Sequence, residues 1–375
     1  MYDAIVVGSR CAGSPTAMLL ARKGYKVLLV DKASFPSDIM STHYVHIPGV
    51  ARLQNWGLLD KVHASNCPPI TSITLHMNGL PFTPPPPPVP EGAEAPPAYC
   101  PRRTVLDKIL VDAAVEAGAE LREGFAVREL VRDGDAVAGI TGGAVGSSSL
   151  VEERAKFVIG ADGMHSVVAR EVQAPEYNTK PSLSFGYYAY WSNAPGGAEI
   201  HFTDDGGALC FPTNDGLTCV AVGGPTDMFP EFRKDIEANY MKIVGKIPLV
   251  AKRLGNAKRE ERFVGTNDQP NFFRKPYGPG WALVGDAGYH RDFITGLGIS
   301  DAFRDAEYLT DALDEGFSGK RPLDEALRDY EQRRNKIAEP LYDLTIQLVS
   351  GDPPQPEQFL AFGAAMAAMM PNGAE

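Results

Sequence analysis

Positive charge is in short supply in this 375-residue chain: 36 Lys and Arg face 47 Asp and Glu, for a net charge of -11. No basic footprint exists for a polyanion, so a nucleic-acid partner is not expected. Long apolar runs are missing too, and none approaches the ~20 residues that cross a bilayer. The opening residues, Met1 to Val7, lack the basic stretch and apolar run of a secretion signal. The expectation is a non-exported, cytoplasmic protein without a transmembrane segment. The five cysteines (Cys11, Cys67, Cys100, Cys210 and Cys219) are odd in number and form no C-x-x-C pair. That argues against a disulfide frame or a structural zinc site and for a reducing compartment; no metal is expected. Apolar residues at 44% exclude disorder over most of the length, and the length itself exceeds what one core usually holds.

What is present begins at the N-terminus. Asp3 to Val7 is an apolar run, Gly8 to Gly13 a turn of small residues, Ser14 to Lys23 a helical pattern closed by Gly24, and Val27 to Val30 a second apolar run ending in Asp31. This order predicts a βαβ unit. A further helix is expected from Thr104 to Gly118, with Asp107 completing a capping box, followed by strands around Glu120, Val127 and Val137 and a hairpin at Asp133-Gly134. From Ser182 to Gly224 the aromatic and β-branched runs predict an antiparallel sheet. Beyond Trp281 the helical period returns, with Ile299, Phe303, Ala306, Leu309 and Leu313 on one stripe and Asp301, Asp305, Asp311 and Asp314 largely off it. The prolines from Pro81 to Pro97 read as a stiff surface connection. Phe359 to Met370 reads as a packed terminal helix.

The chemistry starts in the first turn. Gly8-Ser9-Arg10-Cys11-Ala12-Gly13 matches G-x-G-x-x-G at its first and third glycines and departs at the second, where Arg10 stands. The first glycine permits the tight turn, the third lets helix and strand approach, and the helix start offers N–H groups to a pyrophosphate. Asp31 follows at the spacing of an acid that binds an adenosine ribose. Arg10 is free either to lie on the pyrophosphate as a bidentate ligand or to face solvent.

Two later segments, V-I-G-A-D-G-M-H-S-V-V-A-R at Val158 to Arg170 and W-A-L-V-G-D-A-G-Y-H-R-D-F-I-T-G-L-G at Trp281 to Gly298, join that turn and the R-x-x-L-D at Arg103 to Asp107. In this order they resemble the FAD-dependent monooxygenases of the p-hydroxybenzoate hydroxylase type and their geranylgeranyl-reductase-like and flavin-halogenase relatives. The resemblance covers residue 1 to about 335. It implies an α/β fold in which a Rossmann-like FAD-binding domain (1–70, 101–175 and 272–335) is interleaved with an antiparallel-sheet substrate domain (71–100 and 176–271), and helices close the chain (336–375). It places Gly8, Arg10, Ala12 and Gly13 at the pyrophosphate, and Asp31 and Lys32 at the adenosine ribose. Arg103 and Val127 would lie against the cofactor, and Asp162 and Gly163 would close the cleft. Gly285 and Asp286 would face the ribityl and pyrophosphate oxygens. Gly296, Leu297 and Gly298 would lie at the pyrimidine edge, where a helix N-terminus favours the anionic reduced flavin. Ser41 and Thr42 suit contact with the ribityl and ring system. No catalytic residue is assigned, because flavin carries the chemistry.

His43, Tyr289 and Phe293 are candidates near the ring. His43 and His46 read first as loop histidines, then as metal ligands, proton donors or a covalent flavin link. For Tyr289 and His290, cofactor contact and packing stay equal alternatives. Phe293 stands where related sequences carry proline, and its ring lies either against flavin or substrate or away from them. The implied reaction is oxygen transfer from dioxygen to an apolar or aromatic small molecule through a flavin C4a-hydroperoxide, with NAD(P)H as electron donor, directly or through a separate flavin reductase. A carbon–carbon double-bond reductase is the alternative, weakened because Gly207 and Leu209 replace the aromatics of that branch's Y-x-W-x-F-P segment, of which Phe211-Pro212 remains. Halogenation is disfavoured, since the sequence has no W-x-W-x-I-P segment and no lysine in a catalytic context, and a non-redox binding protein of the same fold is the remaining class. The alternation of Phe185, Tyr187, Ala189 and Trp191, with no Lys or Arg from Leu183 through Gly224, points to a neutral substrate against this face, with simple core packing of these aromatics the equal alternative.

Overall fold

The computed structural model describes residues 1–77, 79–84, 97–204, 206–350 and 356–371. Most of the expected proline connection, at 85–96, lies outside the described residues. The first strand, Tyr2–Val7, runs between Val27–Val30 and Val151–Gly160 and parallel to both. Glu120–Arg122 and Trp281–Leu283 extend this parallel sheet on its two sides. The strands are continuous apolar runs because both faces are covered. Helices Gly13–Arg22, Arg103–Glu116 and Gly298–Phe317 bury one face. The hairpin Phe125–Asp133/Ala136–Ala144 and the short helix Val167–Glu171 cover the other.

Helix Gly298–Phe317 buries its predicted stripe, from Ile299 to Leu313. Asp301 and Asp305, expected on the open side, are buried as well. Arg304 donates to Asp301 at 2.8 Å and to Asp305 at 2.7 Å, and Arg291 pairs with Asp301. A charge leaves water only with a partner, and arginines from this helix and a preceding loop supply it. Helix Arg103–Glu116 begins one residue before the expected Thr104. Asp107 accepts from arginines rather than forming a capping box, and Arg102 at the N-cap makes no side-chain cap. The helix Leu323–Val349 runs through the boundary expected at 335, and Pro356–Ala368 follows. There Met366 and Met369 pack on Leu297 and Leu341, and Arg52 donates to the Met369 carbonyl at 2.7 Å.

The second sheet is antiparallel from Ser184–Ser192 through Thr218–Pro225, Gly206–Pro212 and Ala198–Thr203. Ile73–Met77 then joins it in parallel. The alternation along Ser184–Ser192 resolves into two environments. Phe185, Ala189 and Trp191, the face expected to meet substrate, pack with Val220, Val222 and the helices of residues 229–254, and Tyr187 leans on the same cluster. Gly186, Tyr188 and Tyr190 face the first domain instead. Period-2 patterning separates two faces; burial by helices later in the chain decides which is which.

Phe303 is fully buried and packs edge-on to Trp56, with ring centroids 5.2 Å apart. Phe303→Ala should cost about 3–5 kcal/mol, read as a lowered denaturant midpoint. A loss under 1 kcal/mol would mean that the helix layer is not the stabilising core.

Candidate functional site

Strand register brings the distant motifs together. Val7 pairs with both Val30 and Gly160, and Gly160 with Leu283, so the carboxyl ends of four parallel strands stand level. The chain leaves them at Gly8, Asp31, Ala161 and, two residues past Leu283, Gly285. All four line one cleft of about 560 Å³, within the roughly 300–1,000 Å³ of cofactor sites, at the edge of the sheet where α/β folds bind ligands.

The turn over this edge is as tight as backbone allows. Gly8 has φ +98°, and a Cβ there would lie 2.5 Å from the Ala161 carbonyl oxygen. A Cβ on Gly13 would fall 1.7 Å from the Gly8 carbonyl oxygen. Gly13 therefore shapes the cleft from beneath, while Ala12 lines it. Helix Gly13–Arg22 has neither a side-chain cap nor an acidic residue in its first turn, so its positive end is left for an anion. Asp31 lines the cleft and also clamps the turn: its carboxylate accepts from the Ser9 amide at 2.7 Å, the Ser9 hydroxyl at 3.1 Å and the Ala33 amide at 2.8 Å. A carboxylate has about four acceptor sites, so one stays free for a ribose hydroxyl.

Arg10 takes neither of its expected orientations alone. It lines the cleft, but its guanidinium donates to Asp107 at 2.6 Å and to the Ser37 hydroxyl at 2.8 Å, and lies over Phe35. Asp107, fully buried, also accepts from Arg103 at 2.9 and 3.1 Å and from the Cys11 thiol. One carboxylate thus holds two cleft-lining arginines, leaving a net positive charge beside the glycine turn. Sequence reading missed this role, although the four-residue spacing of Arg103 and Asp107 on one helix is the spacing of an ion pair.

The other expected residues divide by position. Lys32, Ser41, Thr42, Val127 and Gly163 line the cleft. Asp162 lines it while accepting from the Ser166 hydroxyl at 2.5 Å and the Val167 amide at 2.6 Å, so its carboxylate serves a helix start. Asp286 is exposed in the cleft wall, and Gly296 and Gly298 border it; Leu297 points instead into the cluster with Met366 and Met369. Tyr289 contributes to the wall, and its hydroxyl accepts from Arg304 at 3.1 Å. His46 bonds through Nε2 to the Thr295 carbonyl at 2.9 Å and so braces the loop before Gly296. His43 sits behind the wall, its Nε2 2.7 Å from the Tyr190 hydroxyl. Burial, reinforced by the Arg103 and Arg102 charges, pulls its pKa down to about 3, so it is neutral at physiological pH.

Does this cleft suit a flavin nucleotide? Arg291 provides a test independent of motifs. It is buried in the cleft wall beside Asp292 and Phe293, and after pairing with Asp301 its Nε and Nη1 have no partner. Buried guanidinium donors without acceptors are costly, and Arg291 borders the cleft together with Gly296 and Gly298. The arginine-flanked turn at one end and these donors at the other match a long cofactor with a pyrophosphate and a polar ring edge.

Comparison with known proteins agrees. The FAD binding domain family matches residues 1–230. Digeranylgeranylglycerophospholipid reductase 1 of Methanococcoides burtonii is 27% identical over 88% of this chain and 79% of its own. Among solved structures, the myxobacterial chondrochloren halogenase CndH superposes with a TM-score of 0.84 at 20% identity, over 100% of this chain and 87% of that one. PqsL of Pseudomonas aeruginosa, described as a probable FAD-dependent monooxygenase, gives 0.76 at 18% identity, over 96% and 98%.

Two substitutions test the site. Asp107→Asn removes the charge that holds Arg10 and Arg103, and FAD affinity should fall at least roughly tenfold, since one unit in log K is about 1.4 kcal/mol and a buried pair broken on one side loses more. Asp286→Ala should weaken FAD by roughly 10- to 100-fold, the range for a hydrogen bond to a charged group, while leaving thermal stability without FAD unchanged. Titration of flavin fluorescence reads both. Wild-type affinity in either variant would remove that residue from the site.

Proposed function

We propose, for a chain that belongs to the FAD-binding domain family and is an FAD-dependent oxidoreductase, that its reaction is the monooxygenation of a small neutral, apolar or aromatic molecule. One observation carries this reading. Phe293, Met40, Ser41 and Thr42 form a wall shared by the cofactor cleft and a second, smaller chamber against the inner face of the second sheet. That chamber is lined by Tyr188, Leu209, Phe211 and Ala221, with no Lys, Arg, Asp, Glu or His among its described lining residues. Its free volume is about 30 Å³ with Phe293 in place, so a substrate would enter only as the Phe293 ring swings aside. The Phe293 ring closes it by lying directly on Gly186, where a Cβ would approach Cζ to 2.5 Å.

Bound FAD supplies the redox chemistry, passing two electrons from a donor to dioxygen so that one oxygen atom enters the substrate and the other leaves as water. The protein's part is to hold the ring edge with Arg291 and the Gly296 to Gly298 turn, and to keep water out with Phe293, Tyr188 and Phe211. A neutral chamber disfavours a carboxylate, which would require an arginine fork that this sheet face does not offer. His43 cannot act there as a cationic acid, since it is neutral and tied to Tyr190; it fixes the Tyr190 hydroxyl behind the wall. Electrons would come from NAD(P)H, directly or through a separate reductase.

Likeness to the archaeal reductase favours a second reading, saturation of carbon–carbon double bonds. The sheet sequence weighs against it, because Gly207 and Leu209 stand where that branch carries the aromatics of its Y-x-W-x-F-P segment. Anaerobic mixing with NADH and NADPH, with flavin absorbance followed, identifies the donor, and readmitting air in the presence of neutral aromatic compounds should give oxygenated product. Saturation of an isoprenoid lipid without oxygen, and no oxygenated product, would replace the first reading by the second. Phe293→Ala should keep FAD affinity within about twofold, because the aromatic contact contributes only ~0.5–1.5 kcal/mol, yet raise the peroxide released per electron pair. Equal peroxide yields in variant and wild type would show that Phe293 does not shield the reacting centre.

A further inference from the structure

On the face of the second sheet turned away from the cleft, His76 of strand Ile73–Met77 is the register partner of His201 of strand Ala198–Thr203. Their rings stack with centroids 4.2 Å apart and planes within 8°. Glu199 stands two residues before His201 and therefore on the same face, with Oε2 3.1 Å from His201 Nε2. One ligand atom from each of the three residues lies within 4.8 Å of the other two. His76 is 7% exposed, and its Nδ1 has no hydrogen-bond partner.

We propose that His76, Glu199 and His201 form a zinc-binding site. Two imidazoles with one carboxylate are the donor set of open zinc sites, three protein ligands with the fourth position for water, whereas calcium and magnesium prefer oxygen alone. Ligand atoms about 2.0–2.2 Å from a tetrahedral zinc lie roughly 3.3 Å apart. The Glu199–His201 pair stands at 3.1 Å as a hydrogen bond that a metal would replace, and binding requires the His76 ring to turn out of its stack so that its nitrogen lone pair converges on the ion. Arg253 is the nearest cation, 3.8 Å from Glu199 Oε2, too far for a hydrogen bond. It is held by the Ala194 and Gly197 carbonyls at 3.1 and 2.9 Å, so its ion pair with Glu199 lacks a direct hydrogen bond and is the contact with which a metal would compete. Glu199 is partly exposed, which gives the ion a way in. The His76 Nδ1 is buried without a partner, and a cation would supply one.

Bound zinc would fasten residues 73–77, which reach this sheet from the first part of the chain, to the hairpin of 198–212. It would do so on the side of the sheet opposite the flavin cleft, so the site is independent of the reaction proposed above.

The test uses the full chain carrying FAD, stripped with a chelator and titrated with zinc sulfate by calorimetry against a competing chelator. One zinc per chain is expected, with a higher thermal transition, and His76→Ala and Glu199→Gln should each weaken binding at least tenfold while FAD content stays at the wild-type value. Glu199→Gln preserves size and hydrogen bonding, so it separates loss of a ligand from loss of fold. Absence of saturable one-to-one uptake by the wild-type chain, or uptake unaltered in both variants, would overturn the proposal.

Discussion

Backbone register in the parallel sheet is the constraint on which the cleft depends. Because Val7 pairs with Val30 and with Gly160, and Gly160 with Leu283, residues separated by more than 270 positions in sequence leave the sheet side by side. A slip by one residue along any of these strands would turn its core side chains over and carry its loop away from the other three. The first turn adds a second restriction at the same place. With the Gly8 carbonyl 1.7 Å from where a Gly13 Cβ would stand, helix Gly13–Arg22 can start only in direct backbone contact with the turn. Its positive end is thereby aimed at the cleft.

Charge is arranged around that frame so that its cost falls on the protein interior. Asp107 and Asp301 are buried acids whose arginine partners reach the cleft wall, Arg10 and Arg103 at the turn and Arg291 near the opposite end. Buried ion pairs contribute little to net stability, since desolvation offsets most of the attraction. Here they fix three cations at the cleft wall, two of them beside the turn where a pyrophosphate would bind. Preorganised charge of this kind needs no rearrangement when the ligand arrives.

Much of the first domain was legible in sequence because its signals are local. A glycine turn between two apolar runs, and an acid after the second, specify strand, turn and helix with little competition from tertiary context. What escaped was set by partners far along the chain. Asp301 and Asp305 fall off the apolar stripe of their helix, and only the position of Arg304 and Arg291 explains why they are buried. Phe185 and Trp191 alternate cleanly with Tyr188 and Tyr190, yet the helices of residues 229–254 decide that the former are core and the latter face the first domain. His76 and His201 are 125 positions apart and meet through a parallel pairing that no spacing rule anticipates. Asp107 was visible as part of a motif, but its service to two arginines needed the first turn in place.

The central claim is that the level strand ends build a binding site for one FAD per chain. The direct measurement is the cofactor stoichiometry of the purified protein after incubation with FAD and gel filtration, read from absorbance and from the nucleotide released by acid. The account predicts a yellow protein with one intact FAD per chain, and no retained flavin in Gly13→Ala, whose added Cβ cannot coexist with the Gly8 carbonyl. A protein that stays colourless through incubation with FAD would contradict it.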